Sequence, residues 1–257
     1  MRPPAEAEIY APFFPGLSRW VNVASLRMDK QRGRPVLVEF WDFCRVNSLR
    51  TLPYLKAWHE RYAADGLRVV GVHAAGFEAS SDPDAVKAAV ARLGIDYPVL
   101  IDSELSAAEE YGIQGWPSRY LWDQESRLFE FHIGEGAYAE TELAIQELLG
   151  IEREPLAPLR PEDEPGVLLP PQTEDQVGPW SGPYEAGAVW AVLSGAGTVR
   201  ANGREIVVDH PGAYPLIEHE RHTAGELALE VGDGVVCEAV CFTPGIAAAG
   251  STPIGRG

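Results

Sequence analysis

The chain has three thiols in 257 residues, and Cys44 is the one placed where sulfur chemistry is favoured. Arg45 follows it, helical spacing runs from residue 47 to 64, and Arg50 adds a second cation. The thiol therefore falls at or just before a helix N-terminus, where exposed N–H groups and the helix dipole favour an anion. Such surroundings raise the thiolate fraction, and the thiolate is the nucleophile. A single thiol there forms a mixed disulfide or a sulfenic acid and is restored by an external thiol. The same position also suits an inert cysteine at the end of a core strand, because the residue offset decides which way the side chain faces.

The other candidates are weaker. Cys237 and Cys241 lie four apart on an extended run, so they share a face at roughly 13 Å, given about 3.3 Å per residue. A disulfide needs Cα atoms within about 7 Å, so the two do not pair and read as core residues of a final strand. His219, Glu220, His222 and Glu226 have the spacing His-x-x-His-x-x-x-Glu, which does not set two imidazoles on one strand face. A solvated turn is expected there, with no metal. Gly195-Ala196-Gly197 lacks the helix and lysine of a phosphate loop, so no nucleotide cofactor is expected.

Strand-like runs at 36–41, 67–74, 97–102, 118–123 and 128–134 alternate with helical patterns at 47–64, 83–93 and 138–149, which implies an α/β layer fold. Prolines and glycines then crowd among acidic residues from 152 to 183, and neither period survives. Beyond them come short strand-like pieces with glycine turns, the grammar of a small antiparallel sandwich. Asn202-Gly203 between VRA and REIVV is a two-residue hairpin signal. The expected organisation is an α/β domain over 1–152, a Pro/Glu-rich linker over 153–178 and a β-sandwich over 179–257.

Composition bounds the partners. Hydrophobic residues make up 46% and charged residues 23%, the usage of a folded protein. The net charge of −17 disfavours nucleic acid and anionic membranes, which demand a cationic face. The imbalance is local: residues 1–70 carry 11 Lys and Arg against 7 Asp and Glu. No apolar run is long enough to span a bilayer, the N-terminus lacks a leader pattern, and the cysteines are too few for a disulfide framework. The cytoplasm is the expected compartment.

Residues 10–150 resemble the thioredoxin fold, and within it the TlpA/ResA/DipZ type of thiol-disulfide oxidoreductase. The resemblance is carried by Trp20-Val21-Asn22, by VLVEFW at 36–41, by Arg50-Thr51-Leu52-Pro53-Tyr54-Leu55, by LRVVGVHAA, and by GWPSRYLWD at 115–123. GAVWAVLSGAGTV and GVVCEAVCFTPG are similar to the second module of DipZ, which resembles a carbohydrate-binding or jelly-roll domain. The resemblance implies an α/β thioredoxin-like domain with a central mixed sheet flanked by helices. It also implies a Cys-x-x-Cys pair after Phe40-Trp41, and those two positions hold Arg45 and Ser48. Dithiol exchange needs a second thiolate to release the substrate, which a serine cannot supply. Glu39 matches the family's buried carboxylate beneath the motif, and Pro117 after Trp116 matches its cis-proline loop. Pro53 matches a helix kink. Trp41 and Trp116 would flank the motif, where aromatic faces hold an apolar or peptide ligand.

Two functions follow. In the first, Cys44, with Glu39 as the other catalytic candidate, is a single-cysteine redox or peroxide-reactive centre whose partner is a protein or low-molecular-weight thiol or disulfide. In the second, the domain is a non-catalytic module that holds a peptide or small ligand in the groove beside Pro117, with the sandwich as a second surface or a homodimer contact. A third reading has the sandwich stack sugars on Trp180, Tyr184, Trp190 and Tyr214.

Overall fold

A computed structural model describes residues 1–4, 6–16 and 18–247. The chain divides into two units, Met1–Ala157 and Pro158–Gly257.

The first unit is built on six strands: β1 (Arg19–Val21), β2 (Val36–Trp41), β3 (Arg68–His73), β4 (Val99–Ile101), β5 (Ser118–Trp122) and β6 (Leu128–Ile133). Its helices are α1 (Val46–Tyr62), α2 (Pro83–Arg92), α3 (Ser106–Tyr111) and α4 (Tyr138–Leu149). The strand order is β1-β4-β3-β2-β5-β6, with β2, β3 and β4 mutually parallel and the other pairs antiparallel. This is the mixed sheet flanked by helices that the resemblance implied.

β2 is buried along its whole length, which is why it reads as a near-continuous apolar run. Val36, Val38 and Phe40 join Val70, Val72, Leu100, Tyr111, Tyr120 and Trp122 in one core. The alternate residues Leu37, Glu39 and Trp41 occupy the other face, beside Val69, Gly71 and His73 of β3. α2 starts where Asp82 accepts a hydrogen bond from the Asp84 N–H, with Pro83 in the first turn. α1 carries Pro53 in its interior. Two elements escaped the sequence reading. β1 is three residues long, and α3 is six residues, opened by Leu105 at φ 58°, with the first-turn N–H groups of Ala107 and Ala108 donating to the Asp102 carboxylate.

The second unit contains β7 (Gln176–Val177), β8 (Gly182–Gly195), β9 (Gly197–Ala201), β10 (Arg204–Val208), β11 (Gly212–Leu227), β12 (Leu229–Val231) and β13 (Val235–Thr243). They form two antiparallel sheets, β10-β9-β12 and β11-β8-β13-β7, which share one core. Asn202 (φ 50°) and Gly203 (φ 82°) turn the β9–β10 hairpin, as their sequence predicts.

Two expectations change, and part of a third lies outside the described residues. The segment expected as a linker at 153–178 is divided between the units. Arg153 and Leu156 donate backbone N–H groups to Gln146 and Glu142 of α4, while Thr173, Asp175 and Gly178 bond to β8 and β13. Proline removes ladder donors, so these isolated bonds replace a regular pattern. The sandwich was expected to reach residue 257, of which 248–257 lie outside the described residues. Cys237 and Cys241 do not share a face: an irregularity between Cys237 and Ala239 sets them opposite Leu193 and Trp190, three residues apart on β8.

Gly187 marks a close approach of backbones. A Cβ there would lie 2.3 Å from the Pro244 carbonyl oxygen and 2.6 Å from the Gly245 Cα. Gly187→Ala is expected to destabilise the second unit by at least about 1–3 kcal/mol, read as a lower urea midpoint. An unchanged midpoint would mean that the 244–245 segment lifts away at no cost.

Candidate functional site

The chain leaves β2 at Trp41 and reaches α1 through Asp42, Phe43, Cys44 and Arg45. Asp42 shapes this passage. Its carboxylate is fully buried and accepts from the Cys44 N–H (2.8 Å), the Gly76 N–H (2.7 Å) and the Ser80 hydroxyl (3.0 Å). Its own N–H donates to the Ser48 Oγ at 3.2 Å, and His73 Nε2 lies 3.6 Å from its Oδ1. A buried carboxylate is tolerable only with such donors, and here they tie the start of α1 to the loop after β3. Sequence reading missed Asp42 and His73. The available signal for Asp42 was an Asx turn, with the side chain accepting from the N–H two residues on.

The six proposed side chains and Pro117 separate by environment. Cys44 is 0% exposed, among buried neighbours that include Phe43, and forms no disulfide. This is the buried placement of a core-strand cysteine. Ser48 is likewise buried, its hydroxyl engaged by Asp42. Of the two tryptophans that would flank the motif, Trp41 is packed and does not line a groove: it is 3% exposed and lies over Gly71, where a Cβ would come 3.0 Å from its Nε1. Being on the α1 face of a central strand, it is covered on both sides.

Arg45 is half-buried and is the N-cap of α1, with no side-chain cap bond. Its Cζ lies 4.5 Å from the Phe77 ring centroid and 5.0 Å from that of Trp116. Trp116 is half-buried and donates its indole N–H to the Ala74 carbonyl at 2.9 Å. The Trp116–Pro117 bond is cis, and the Pro117 carbonyl accepts from the Gly134 N–H at 2.7 Å. The structure thus gathers Arg45, Phe77, Trp116 and Pro117 at one place.

Glu39 faces Arg119, with Nε and Oε2 4.0 Å apart and both residues almost wholly buried. Burial pushes the Glu39 carboxyl up to about 8, and the Arg119 charge opposes the shift. Arg119 also donates to the Gly136 carbonyl and lies over the rings of Trp58 and Tyr138. Sequence reading did not single it out, because nothing local in SRYLWD pairs it with Glu39.

In the second unit, His219 Nε2 is 2.9 Å from the Tyr184 hydroxyl and His222 is 3.7 Å from Glu185. Among the described residues no three His, Cys, Asp or Glu side chains gather to hold a metal ion, and no helix is long and apolar enough to cross a membrane. Burial pushes the Cys237 thiol up to about 11. Tyr184 and Tyr214 are core residues and Trp180 packs against Phe242, so these rings do not form the exposed sugar platform of the third reading.

Comparison with known proteins bears on the first unit and its fold. The AhpC/TSA family profile matches residues 18–129. DipZ of Mycobacterium tuberculosis is 30% identical over 177 residues, 65% of this chain and 26% of that protein, so the chain spans about a quarter of it. The thiol-disulfide oxidoreductase YkuV of Bacillus subtilis is 26% identical over 123 residues, covering 48% of this chain and 82% of YkuV. The solution structure of a thioredoxin-like protein in its oxidised form superposes with a TM-score of 0.51 at 24% identity, over 56% of this chain and 98% of that one. Through residues 18–129 of its first unit, the chain is similar to the AhpC/TSA family and to thiol-disulfide oxidoreductases such as YkuV.

Proposed function

We propose that the first unit is a thioredoxin-fold binding module, which holds a peptide or small ligand in the groove beside Trp116 and Pro117 and does not exchange disulfides. One observation carries this reading: the sulfur-bearing residue Cys44 is enclosed, while the residue at the redox position, Arg45, lies against the Trp116 ring. Thiolate chemistry needs access as well as a lowered pKa, and an enclosed thiol has none. The degenerate motif fits the same reading, since Ser48 gives no second thiolate. The cytoplasm, expected from the sparse cysteines, stays part of the proposal.

The monothiol alternative makes the opposite demand, and alkylation separates the two. Native protein treated with iodoacetamide between pH 7 and 9 is expected to leave Cys44 unmodified by peptide mass mapping, at least about a hundredfold slower than in urea. Cys237 and Cys241, both buried, serve as internal references. Native modification of Cys44 at a rate near that of the unfolded chain would overturn the binding-only reading and restore the redox one.

A further inference from the structure

We propose that Arg45 is a carboxylate-binding residue, so that the groove beside Trp116 takes its ligand by a carboxylate group. The inference rests on the groove reading above and names the ligand's chemistry. Two aromatic rings within about 5 Å hold the guanidinium plane by cation–π contact. Gly76 seats one edge of it: a Cβ there would come 2.8 Å from Nε and 2.9 Å from Nη2. Nη2 makes only a long 3.4 Å bond to the Gly76 carbonyl, and Nε is buried with no acceptor. Nη1 has no hydrogen bond either, and it is not enclosed. The side chain is thus held by its faces and one edge, and its outer end is left to a ligand.

Charge makes this arrangement informative. Acidic residues outnumber basic ones 38 to 21, and two other shielded arginines pair with carboxylates, Arg50 with Glu135 at 2.8 Å and Arg61 with Glu142 at 3.2 Å, whereas Arg68, whose Nε is likewise buried and unbonded, has none among the described residues. Arg45 has no carboxylate within ion-pair distance among the described residues. A planar guanidinium fork matches a carboxylate. A phosphate dianion would need a second cation, and the next one along α1, Arg50, is already paired with Glu135.

The test titrates the full chain with three capped tripeptides, followed by calorimetry and tryptophan fluorescence. The first, acetyl-Gly-Val-Ala, has a free C-terminus; the second is its C-terminal amide; the third, acetyl-Gly-Glu-Ala amide, carries a side-chain carboxylate. At least one carboxylate peptide is expected to bind about tenfold tighter than the neutral amide, the worth of one charge-assisted hydrogen bond. Which of the two wins distinguishes a chain end from an acidic side chain. Arg45→Gln should erase that preference, Arg45→Lys should keep part of it, and Gly76→Ala, which unseats the guanidinium without removing it, should weaken it. Equal binding of acid and amide, or a preference that survives Arg45→Gln, overturns the inference and leaves the groove reading standing. If no peptide binds the wild type, both fall.

Discussion

A variant carrying Arg45→Cys and Ser48→Cys together is expected to form a reversible disulfide and to reduce disulfide substrates, which the wild type is not expected to do. Arg45 is the N-cap of α1 and Ser48 its third residue. Side chains at those two positions face each other, which is how a capping oxygen reaches the third N–H. A thiol at 45 would be partly exposed, beside first-turn N–H groups with no acidic residue among them, so its pKa should fall below that of a free cysteine. A thiol at 48 would be enclosed, as Ser48 is, at the cost of the Asp42 N–H to Ser48 bond, about 1 kcal/mol. In the exchange the thiolate introduced at position 45 breaks the substrate S–S bond and forms a mixed disulfide. The thiolate introduced at position 48 then displaces the substrate thiol, so two electrons pass to the substrate and the 45–48 disulfide remains for dithiothreitol to reduce. With an intramolecular second thiol, insulin reduction should run at least about tenfold faster than with wild type. The background should carry Cys44→Ser, to keep a third thiol out of the exchange. Two free thiols persisting in the double variant after oxidation would show that positions 45 and 48 do not face each other.

Where the sequence was legible, a period or a turn residue had one physical meaning. VLVEFW was legible as a strand, and Asn202-Gly203 as a tight hairpin, because both residues accept positive φ. α4 was read to its observed bounds from apolar spacing alone. The misreadings arose where the meaning depends on residues far away in sequence. Trp41 has the chemistry of a ligand platform, and only its pairing with β3 over Gly71 makes it core. Arg119 was not singled out, since only its pairing opposite Glu39 makes a charged strand residue buried. Cys237 and Cys241 were placed on one face by counting in twos, and an irregularity in β13 breaks that count. Arg45 was identified as the occupant of a vacated thiol position, but its setting against Phe77 and Trp116 joins three loops that no local pattern connects.

Glu39 should make the first unit less stable as pH rises, the reverse of an ordinary paired carboxylate. Its folded pKa is raised from 4.5 to about 8 by burial, with Arg119 at 4.0 Å too distant to offset the desolvation. Below pH 4.5 the group is neutral in both folded and unfolded chains and contributes no pH dependence. Between 4.5 and 8 the unfolded chain releases the proton and the folded chain keeps it, so each step upward favours unfolding. Above about 8 both states are ionised and the slope vanishes. Since each pKa unit is worth about 1.4 kcal/mol, the loss across the window amounts to a few kcal/mol, a large share of a typical domain's stability. Glu39→Gln copies the neutral carboxyl, so it should match wild type near pH 5 and exceed it by that amount at pH 9. Five of the seven tryptophans lie in the first unit, so urea unfolding followed by their fluorescence reports on it. Parallel curves for wild type and Glu39→Gln from pH 5 to 9, with the variant weaker throughout, would mean that Glu39 is ionised in the fold and supports Arg119 as its counter-ion.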